Sequence, residues 1–164
     1  MEYGLIGYPL GHSYSPEIHG RIADYKYELN AIPENEVGEF LVKREFKAIN
    51  VTIPYKQTVI PYLDEISERA KKIGAVNTIV NRNGKLYGDN TDFMGLRALI
   101  KFTGIDLTDA KVLILGTGGT SKTAKAVCEE GGAREILKVS RSGRDGAVTY
   151  EQAMLEHNDA DVII

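Results

Sequence analysis

The stretch KVLILGTGGTS, residues 111–121, decides the fold of this chain. It begins with a nearly continuous apolar run, which is typical of a strand buried on both faces of a parallel sheet. Glycines follow the run directly, and a helical pattern then extends from Gly118 to Glu130. A strand, a glycine-rich loop and a helix in this order predict the first turn of a Rossmann unit, where the loop and the helix N-terminus bind a pyrophosphate.

The segments after this helix continue the same unit. Glu135–Ser140 is predicted as a strand, Tyr150–His157 as a helix and Asp161–Ile164 as the start of another strand. This β-α-β-α-β order is one mononucleotide-binding half of a Rossmann sheet. Because the chain ends within the third strand, we expect it to be a fragment of a longer protein.

The glycine-rich loop is the first part of a predicted dinucleotide site. Gly116 allows a tight turn, Gly118 lets the backbone approach a phosphate, and Ser121 replaces the third glycine of the usual fingerprint. The alternative is a tight turn that only packs. The candidate phosphate contacts are Gly116, Thr117, Gly118, Gly119 and Thr120.

The end of the next predicted strand indicates which dinucleotide binds. NAD-binding Rossmann units usually carry an acidic residue there, about 20 residues after the glycines. The sequence offers hydroxyl and guanidinium groups instead, and a guanidinium pairs well with a 2′-phosphate. This favours NADP over NAD, although an exposed arginine pair in a loop is the alternative. The candidate contacts are Ser140, Arg141, Ser142 and Arg144.

Strand and helix patterns also alternate in the N-terminal part of the chain. Strands are predicted at Tyr3–Gly7, Tyr27–Ala31 and Ala48–Ile53. Helices are predicted from near Pro16 and at Glu36–Lys43, Tyr55–Tyr62, Glu65–Ile73 and Thr91–Phe102. Asn83-Gly84 predicts a hairpin between Thr78–Asn81 and Lys85–Gly88. We therefore predict an α/β domain over residues 1–104, with a mostly parallel sheet and a hairpin, followed by the incomplete Rossmann unit over residues 105–164.

Composition narrows the function classes. The 164 residues are 43% hydrophobic and 26% charged, as in an ordinary soluble globular protein. The net charge of -3 argues against nucleic acid as the main partner. The single cysteine, Cys128, excludes an internal disulfide, and no Cys/His pattern predicts a metal. The N-terminal residues show no signal peptide or membrane-spanning pattern, which favours the cytosol.

Lys56 is the first candidate for chemistry in the N-terminal domain. It follows the strand predicted at Ala48–Ile53, and ligands of open α/β sheets bind outside the carboxyl ends of strands. An ammonium at that place can donate a proton or hold a substrate oxygen. The alternative is a solvated lysine at the start of a helix. Asn50 and Thr52 weaken that alternative, because polar side chains in a buried strand are costly unless they form hydrogen bonds.

Two further segments carry candidate ligand contacts. Ser13 and Ser15 lie two residues apart, and both hydroxyls could bind a polyhydroxy or carboxylate ligand near a helix N-terminus. The alternative is that Ser15 caps the helix, with Pro16 in the first helical position. Asn77 and Asp92 lie at predicted strand ends, although Asp92 could be an ordinary acidic residue at a helix start.

Taken in order, five segments resemble the shikimate dehydrogenase family: HSYSP at 12–16, NVTIPYK at 50–56, GAVNT at 74–78, GDNTD at 88–92 and GTGG at 116–119. The resemblance implies reversible hydride transfer between NADPH and 3-dehydroshikimate, giving shikimate for aromatic amino-acid synthesis. It implies that residues 1–104 bind the substrate and that residues 105–164 bind NADP.

The resemblance also implies residue roles. Lys56 would be the acid/base group at the C3 oxygen, with Asp92 as its catalytic partner. Both would also contact the substrate, together with the carboxylate-binding Ser13 and Ser15 and the hydroxyl-binding Thr52 and Asn77. Glu68 lies where some family members have a cofactor contact, but a surface glutamate is the simpler interpretation.

Three departures from the family pattern limit the resemblance. Gly20 stands where the family often has asparagine, and Ser140-Arg141-Ser142 replaces Asn-Arg-Thr but keeps the arginine. Family members also continue through the second half of the Rossmann sheet, so we expect this chain to lack full activity alone. The rival hypotheses are a quinate or quinate/shikimate dehydrogenase and a noncatalytic NADP- or metabolite-binding relative. We expect a monomer or a homodimer.

Overall fold

The computed structural model describes residues 1–144 and 146–164, which form two compact units, Met1–Thr91 and Asp92–Ile164. The described strands are β1 Tyr3–Gly7, β2 Tyr27–Ala31, β3 Ala48–Val51, β4 Glu65–Ile66, β5 Thr78–Arg82, β6 Lys85–Asp89, β7 Lys111–Leu115, β8 Glu135–Val139 and β9 Val162–Ile163. The described α-helices are α1 Ser15–Ile22, α2 Glu34–Lys43, α3 Glu68–Ile73, α4 Asp92–Thr103, α5 Gly119–Glu130 and α6 Tyr150–Glu156. A short 3₁₀ helix spans Ile60–Tyr62.

The first unit contains a six-stranded sheet in the order β2-β1-β3-β5-β6-β4. Strand β1 is parallel to both of its neighbours and β4 is parallel to β6, whereas β5 is antiparallel to β3 and β6. Strands β5 and β6 form the predicted hairpin, and Asn83 and Gly84 have φ values of 54° and 83° at its turn. The predicted α/β fold, mostly parallel with a hairpin, is confirmed.

The two faces of this sheet have different compositions. Ile6, Ile49 and Ile79 are almost fully buried on one face, where they pack in one core with Val37 and Leu41 of α2. Successive residues of a strand point to opposite faces, so Asn50 and its register partner Thr78 lie on the other face. That face therefore carries polar side chains in the middle of the sheet. We call it the polar face.

The segment that follows β3 differs from the prediction. The strand ends at Val51 instead of Ile53, and the helix predicted at Tyr55–Tyr62 is wrong: residues 53–59 form turns before the 3₁₀ helix. Pro54 cannot donate to a strand ladder or to an interior helical turn, because it has no N–H group. The chain instead turns at once, with the N–H of Tyr55 donating to the carbonyl of Thr52 at 2.9 Å.

The helix predicted at Glu65–Ile73 begins only at Glu68. Residues Glu65–Ile66 pair with β6 as a short parallel strand. Ser67 then caps α3, its hydroxyl accepting the N–H of Ala70 at 3.1 Å. A serine cap with a glutamate directly after it was a local signal for this later start.

The second unit contains a three-stranded parallel sheet in the order β8-β7-β9, with α5 after β7 and α6 after β8. This is the predicted partial Rossmann unit. Helix α4 lies in the same compact unit, where Arg97 pairs with Glu130 of α5 at 2.8 Å. The domain boundary that the sequence predicts after residue 104 stays a prediction. Among the described residues, none of the helices is both long enough and apolar enough to span a bilayer.

Candidate active site

The carboxyl ends of β1 and β3 bring two predicted site segments together. The N–H of Thr52 donates to the carbonyl of Ile6 at 2.9 Å, and the N–H of Tyr8 donates to the carbonyl of Ile53 at 3.1 Å. Gly7 lies between them, where an added Cβ would come within 2.5 Å of the Thr52 methyl group. Only glycine allows this approach. The serine-containing loop after β1 therefore starts beside the segment that carries Thr52 and Lys56.

The serine loop does not use Ser15 as a helix cap, and that alternative is wrong. Helix α1 begins at Ser15, so the N-cap position belongs to Tyr14. The N–H of Ser15 donates to the hydroxyl oxygen of Ser13 at 3.2 Å, which closes a local turn. Ser13 therefore has the local structural role.

The backbone on both sides of Lys56 is held by neighbouring elements. The carbonyl of Lys56 accepts the N–H of Val76 at 2.7 Å. The preceding residue, Tyr55, is only 1% exposed and donates its hydroxyl to the carbonyl of Ile32 at 2.6 Å. Lys56 itself is half-buried. The structure thus fixes the start of this side chain just past the carboxyl end of β3, where the sequence predicts it.

Asn77 is a buried junction between three segments. Its carbonyl accepts the N–H of Val51 in β3 at 2.8 Å, and its own N–H donates to Asp89 in β6 at 3.0 Å. Its side-chain Oδ1 accepts the N–H of Thr91 at 2.8 Å, and Nδ2 donates to the Thr91 hydroxyl at 3.0 Å. With 7% of its surface exposed, Asn77 organises the fold around the site.

Two residues that the sequence did not assign to the site support this junction. Asn90 is fully buried and donates to the carbonyl of Ala75 at 3.0 Å. The carboxylate of Asp89 accepts from Ser67 and from Arg69. Burial acts to raise the pKa of Asp89, but these bonds and the N–H of Asn90 outweigh it and leave the pKa below its usual range. Because these partners come from α3 and its cap, the motif GDNTD alone gave no sign of them.

The polar face carries a continuous line of hydrogen bonds. Tyr27 donates to Oδ1 of Asn50 at 2.7 Å, and Nδ2 of Asn50 donates to the Thr78 hydroxyl at 3.2 Å. The Thr78 hydroxyl donates to Oδ1 of Asn77 at 3.1 Å. Sequence reasoning missed Tyr27 and Thr78, since only the strand order reveals that they share a face with Asn50. The polar side chain of Asn50 in β3 thus has hydrogen-bond partners within the first unit.

A cavity lies on this side of the hairpin. Its volume is about 360 Å³, and its lining includes Thr78, Arg82, Tyr87, Asp89 and Thr91. Small-molecule sites commonly enclose volumes from about 300 Å³ upward. Thr78, which belongs to the hydrogen-bonded series that starts at Tyr27, therefore borders a cavity large enough for a small polar ligand.

The glycine loop of the second unit has the geometry of a phosphate site. Gly116 has a φ of 122°, a conformation that favours glycine. Gly118 is the N-cap of α5, and the Ser121 hydroxyl donates back to its carbonyl at 2.6 Å. Apart from chain neighbours and the helix backbone, no described heavy atom lies within 4 Å of a Cβ added at Gly118. Packing therefore does not require a glycine there, whereas a ligand at the helix N-terminus would. Thr117, Gly119 and Thr120 lie beside it.

The loop after β8 leaves the same edge of the sheet. Leu115 and Val139 are register partners, and the N–H of Gly116 donates to the carbonyl of Val139 at 2.8 Å. Ser140 closes the loop, its hydroxyl accepting the N–H of Gly143 at 3.1 Å. The adjoining predicted contacts Arg141, Ser142 and Arg144 are exposed. The structure thus puts the arginines and the glycine loop on neighbouring strand ends.

The remaining predicted residue, Asp92, is the first residue of α4 and belongs to the second compact unit. Lys56, Thr52 and Asn77 belong to the first. The pairing of Lys56 with Asp92 and the individual site roles stay predictions.

A glycine loop that follows a parallel strand and opens a helix is typical of nucleotide-binding α/β proteins. Residues 5–79 match the family model of the shikimate dehydrogenase substrate binding domain. The chain is 44% identical over 153 residues to a shikimate dehydrogenase (NADP(+)) of Halothermothrix orenii, covering 88% of this chain and 53% of the relative. A Clostridium beijerinckii relative with the same description is 42% identical over 147 residues, covering 85% of this chain and 54% of the relative.

Solved structures of shikimate dehydrogenases also match this chain. Shikimate dehydrogenase 1 from Peptoclostridium difficile matches with a TM-score of 0.87 and 36% identity, covering 99% of this chain and 66% of that chain. The enzyme from Thermus thermophilus in complex with NADP(H) and shikimate matches with a TM-score of 0.84 and 28% identity, covering 99% of this chain and 67% of that chain. Residues 5–79 thus match the shikimate dehydrogenase substrate binding domain, and the chain is similar to shikimate dehydrogenases over almost its whole length. It spans about half the length of the curated relatives it matches.

Proposed function

We propose that this chain carries the substrate site and part of the NADP site of a shikimate dehydrogenase, which reversibly reduces 3-dehydroshikimate to shikimate. The observation that supports it most is the close approach of the serine loop to the segment Thr52–Lys56 at Gly7. The two segments that begin at one sheet edge carry the hydroxyls of Ser13, Ser15 and Thr52 and the ammonium of Lys56. A substrate with a carboxylate and several ring hydroxyls needs such a set.

The substrate contacts follow from the side chains available. The hydroxyls of Ser13 and Ser15 bind the substrate carboxylate close to the N-terminus of α1, where negative charge is favoured. Thr52 and Asn77 bind ring hydroxyls. Because Asn77 is already held by its contacts to Thr91, it presents its remaining polar atoms in one orientation.

Lys56 performs the proton transfer in this proposal. Bound NADPH supplies the hydride that reduces the C3 carbonyl. The Lys56 ammonium gives its proton to the C3 oxygen, and in the oxidative direction the neutral amine takes that proton back. Asp92 is the second proposed catalytic residue, and its carboxylate would accept a hydrogen bond from the same substrate hydroxyl.

The second unit fits a dinucleotide with a 2′-phosphate. Gly118 leaves open space in front of α5, so the pyrophosphate contacts would come from Gly116 to Thr120. Arg141 and Arg144 are exposed on the neighbouring loop and would bind the 2′-phosphate. The support for a bound dinucleotide comes from the geometry of this chain, in particular from Gly118, since packing does not require a glycine at that position.

We further propose that the protein is cytoplasmic, acts on small molecules and not on nucleic acids, and is a monomer or a homodimer. The net charge of -3 and the single cysteine support the first two points.

Calorimetric titration of the chain with shikimate, quinate, NADP⁺ and NAD⁺ tests the proposal. We expect shikimate to bind more tightly than quinate, and NADP⁺ more tightly than NAD⁺. Absence of shikimate binding to a folded chain would contradict the proposed substrate site. Equal binding of NADP⁺ and NAD⁺ would contradict the proposed role of the arginines.

A further inference from the structure

Thr91 makes two hydrogen bonds to the side-chain amide of Asn77. Its backbone N–H donates to Oδ1 of Asn77 at 2.8 Å, and its hydroxyl accepts from Nδ2 of Asn77 at 3.0 Å. Asn77 is buried, whereas Thr91 is an exposed residue. The polar atoms of an exposed threonine thus contact a buried side chain for which a substrate contact is proposed above.

The backbone N–H of Thr91 determines which way the Asn77 amide faces. An N–H group can only donate, so the amide atom beside it must be the oxygen and not the nitrogen. The hydroxyl of Thr78 donates to the same oxygen at 3.1 Å, which agrees with this orientation. The Asn77 oxygen thus accepts hydrogen bonds from within the first unit, and a hydrogen bond from this amide to a ligand oxygen would be donated by Nδ2.

The hydroxyl of Thr91 restrains the amide in a way that the backbone contact alone does not. Contacts at Oδ1 alone leave the amide plane able to turn about its terminal torsion, which is broad for asparagine. The Thr91 hydroxyl adds a contact at Nδ2, on the other side of the amide. The plane of the amide is therefore fixed before a ligand arrives, which lowers the entropy cost of binding.

We propose that Thr91 is a positioning residue for substrate binding, whose hydroxyl fixes the plane of the Asn77 amide and thereby directs Nδ2 toward one ring hydroxyl of shikimate. The inference rests on the proposed function, because it concerns the substrate contact that is assigned there to Asn77. Substitutions of exposed residues usually have small effects. Thr91 should be an exception, since ligand binding would depend on its hydroxyl although the residue is exposed.

The test is Thr91→Val, which removes the hydroxyl but keeps the backbone N–H and the branched shape of the side chain. We expect the Kd of the chain for shikimate to rise about fivefold, as for the loss of one hydrogen bond. Thr91→Ser keeps a hydroxyl and should bind shikimate nearly as tightly as the wild type. The matched control is Thr103→Val, which removes a hydroxyl that donates to the carbonyl of Ile100 at 2.8 Å, and it should leave the shikimate Kd unchanged.

A second readout separates positioning from a general loss of structure. For each ligand, the Kd of Thr91→Val is divided by the Kd of the wild type, with shikimate and its analogues that each lack one ring hydroxyl as the ligands. We expect this ratio to be near one for the analogue that lacks the hydroxyl bound by Asn77, and to be raised for the other ligands. A merely less stable fold would raise the ratio equally for every ligand, so the comparison holds even when part of the variant is unfolded.

The outcomes distinguish this inference from the proposed function. If the wild-type chain binds no shikimate, the proposed function fails, and the inference fails with it. If the wild type binds shikimate, the positioning role alone is overturned by an unchanged Kd in Thr91→Val, by an equal ratio for every ligand, or by a Thr91→Ser variant as weak as Thr91→Val. Non-additive effects of Thr91→Val and Asn77→Ala on the shikimate Kd would support it, since the two residues would then act through one contact.

Discussion

The Oδ1 atom of Asn77 accepts the backbone N–H of Thr91 at 2.8 Å, so a buried amide holds the chain one residue before Asp92. Asn77 also donates to the Thr91 hydroxyl at 3.0 Å. The asparagine that was predicted to bind substrate is thus a structural junction as well. Its structural role and its proposed binding role make different predictions for stability and for binding.

Replacing Asn77 with alanine should weaken both the fold and the site. The buried side chain of Asn77 would lose its hydrogen bonds to Thr91, and one hydrogen bond typically contributes about 0.5–1.5 kcal/mol. We expect a fall of this size in the free energy of unfolding of the first unit, measured by urea denaturation. Asn77→Asp keeps the acceptor for Thr91 and should retain more stability while still binding shikimate less tightly. An alanine variant as stable as the wild type would show that the junction contributes nothing.

Gly118→Val should separate cofactor binding from folding. Gly118 has a φ of -69° and a ψ of -177°, which other residues adopt easily, and an added Cβ would enter open space. We expect a fall of only a few degrees in melting temperature, because valine is a poorer N-cap than glycine, and at least a tenfold rise in the Kd for NADP⁺, about the cost of one lost charge-assisted contact. Gly95→Val is the control in helix α4, where open space also surrounds the added Cβ. Unchanged NADP⁺ binding by Gly118→Val would refute the phosphate site.

Arg141→Ala should change the choice between the two dinucleotides. A guanidinium on a phosphate is a charge-assisted pair, so its loss should raise the Kd for NADP⁺ by at least about tenfold. The Kd for NAD⁺ should hardly change, because NAD⁺ lacks the 2′-phosphate. Arg97→Ala, which removes an exposed arginine paired with Glu130, is the matched control. An equal loss for both dinucleotides would argue that Arg141 does not read the phosphate.

Asp89 should make the first unit sensitive to acid. Although burial acts to raise its pKa, the bonds from Ser67, Arg69 and the Asn90 N–H hold the pKa of Asp89 below its ordinary value. A carboxylate with a lowered folded-state pKa stabilises the fold above the unfolded-state pKa of about 4, and this contribution is lost as the pH falls through the folded-state pKa. Asp89→Asn should therefore be less stable than the wild type at neutral pH, and the difference should shrink in acid. Urea midpoints over a pH series measure it, with the exposed Asp24→Asn as control. A difference that stays constant with pH would contradict this account.

Local patterns predicted the parts of the fold that depend on neighbouring residues in the sequence. The run KVLILGTGG specified β7, the glycine loop and the start of α5, and Asn83-Gly84 specified the hairpin turn. Strand β4 could not be predicted in this way, since Glu65–Ile66 is a strand only through its pairing with β6. The same limit applies to the site.

The motifs identified Lys56 and Asn77 as candidates, but they did not show what orients them. Tyr27 became visible only when β2 was placed beside β1, because its hydroxyl contacts residues distant in the sequence. The prediction that Ser15 could cap α1 failed for a related reason. Helix α1 begins at Ser15 itself, and Ser13 accepts the Ser15 N–H.

The most direct test of the central claim is the turnover of shikimate with NADP⁺ by the full-length gene product and its Lys56→Ala variant. If Lys56 transfers the proton at the C3 oxygen, kcat should fall by about 10²–10⁴-fold while the KM for shikimate stays within a few-fold of the wild type. Lys72→Ala, an exposed lysine in α3, should leave both constants unchanged. A loss of kcat of about tenfold or less in Lys56→Ala would contradict the assignment of Lys56 as the acid/base group.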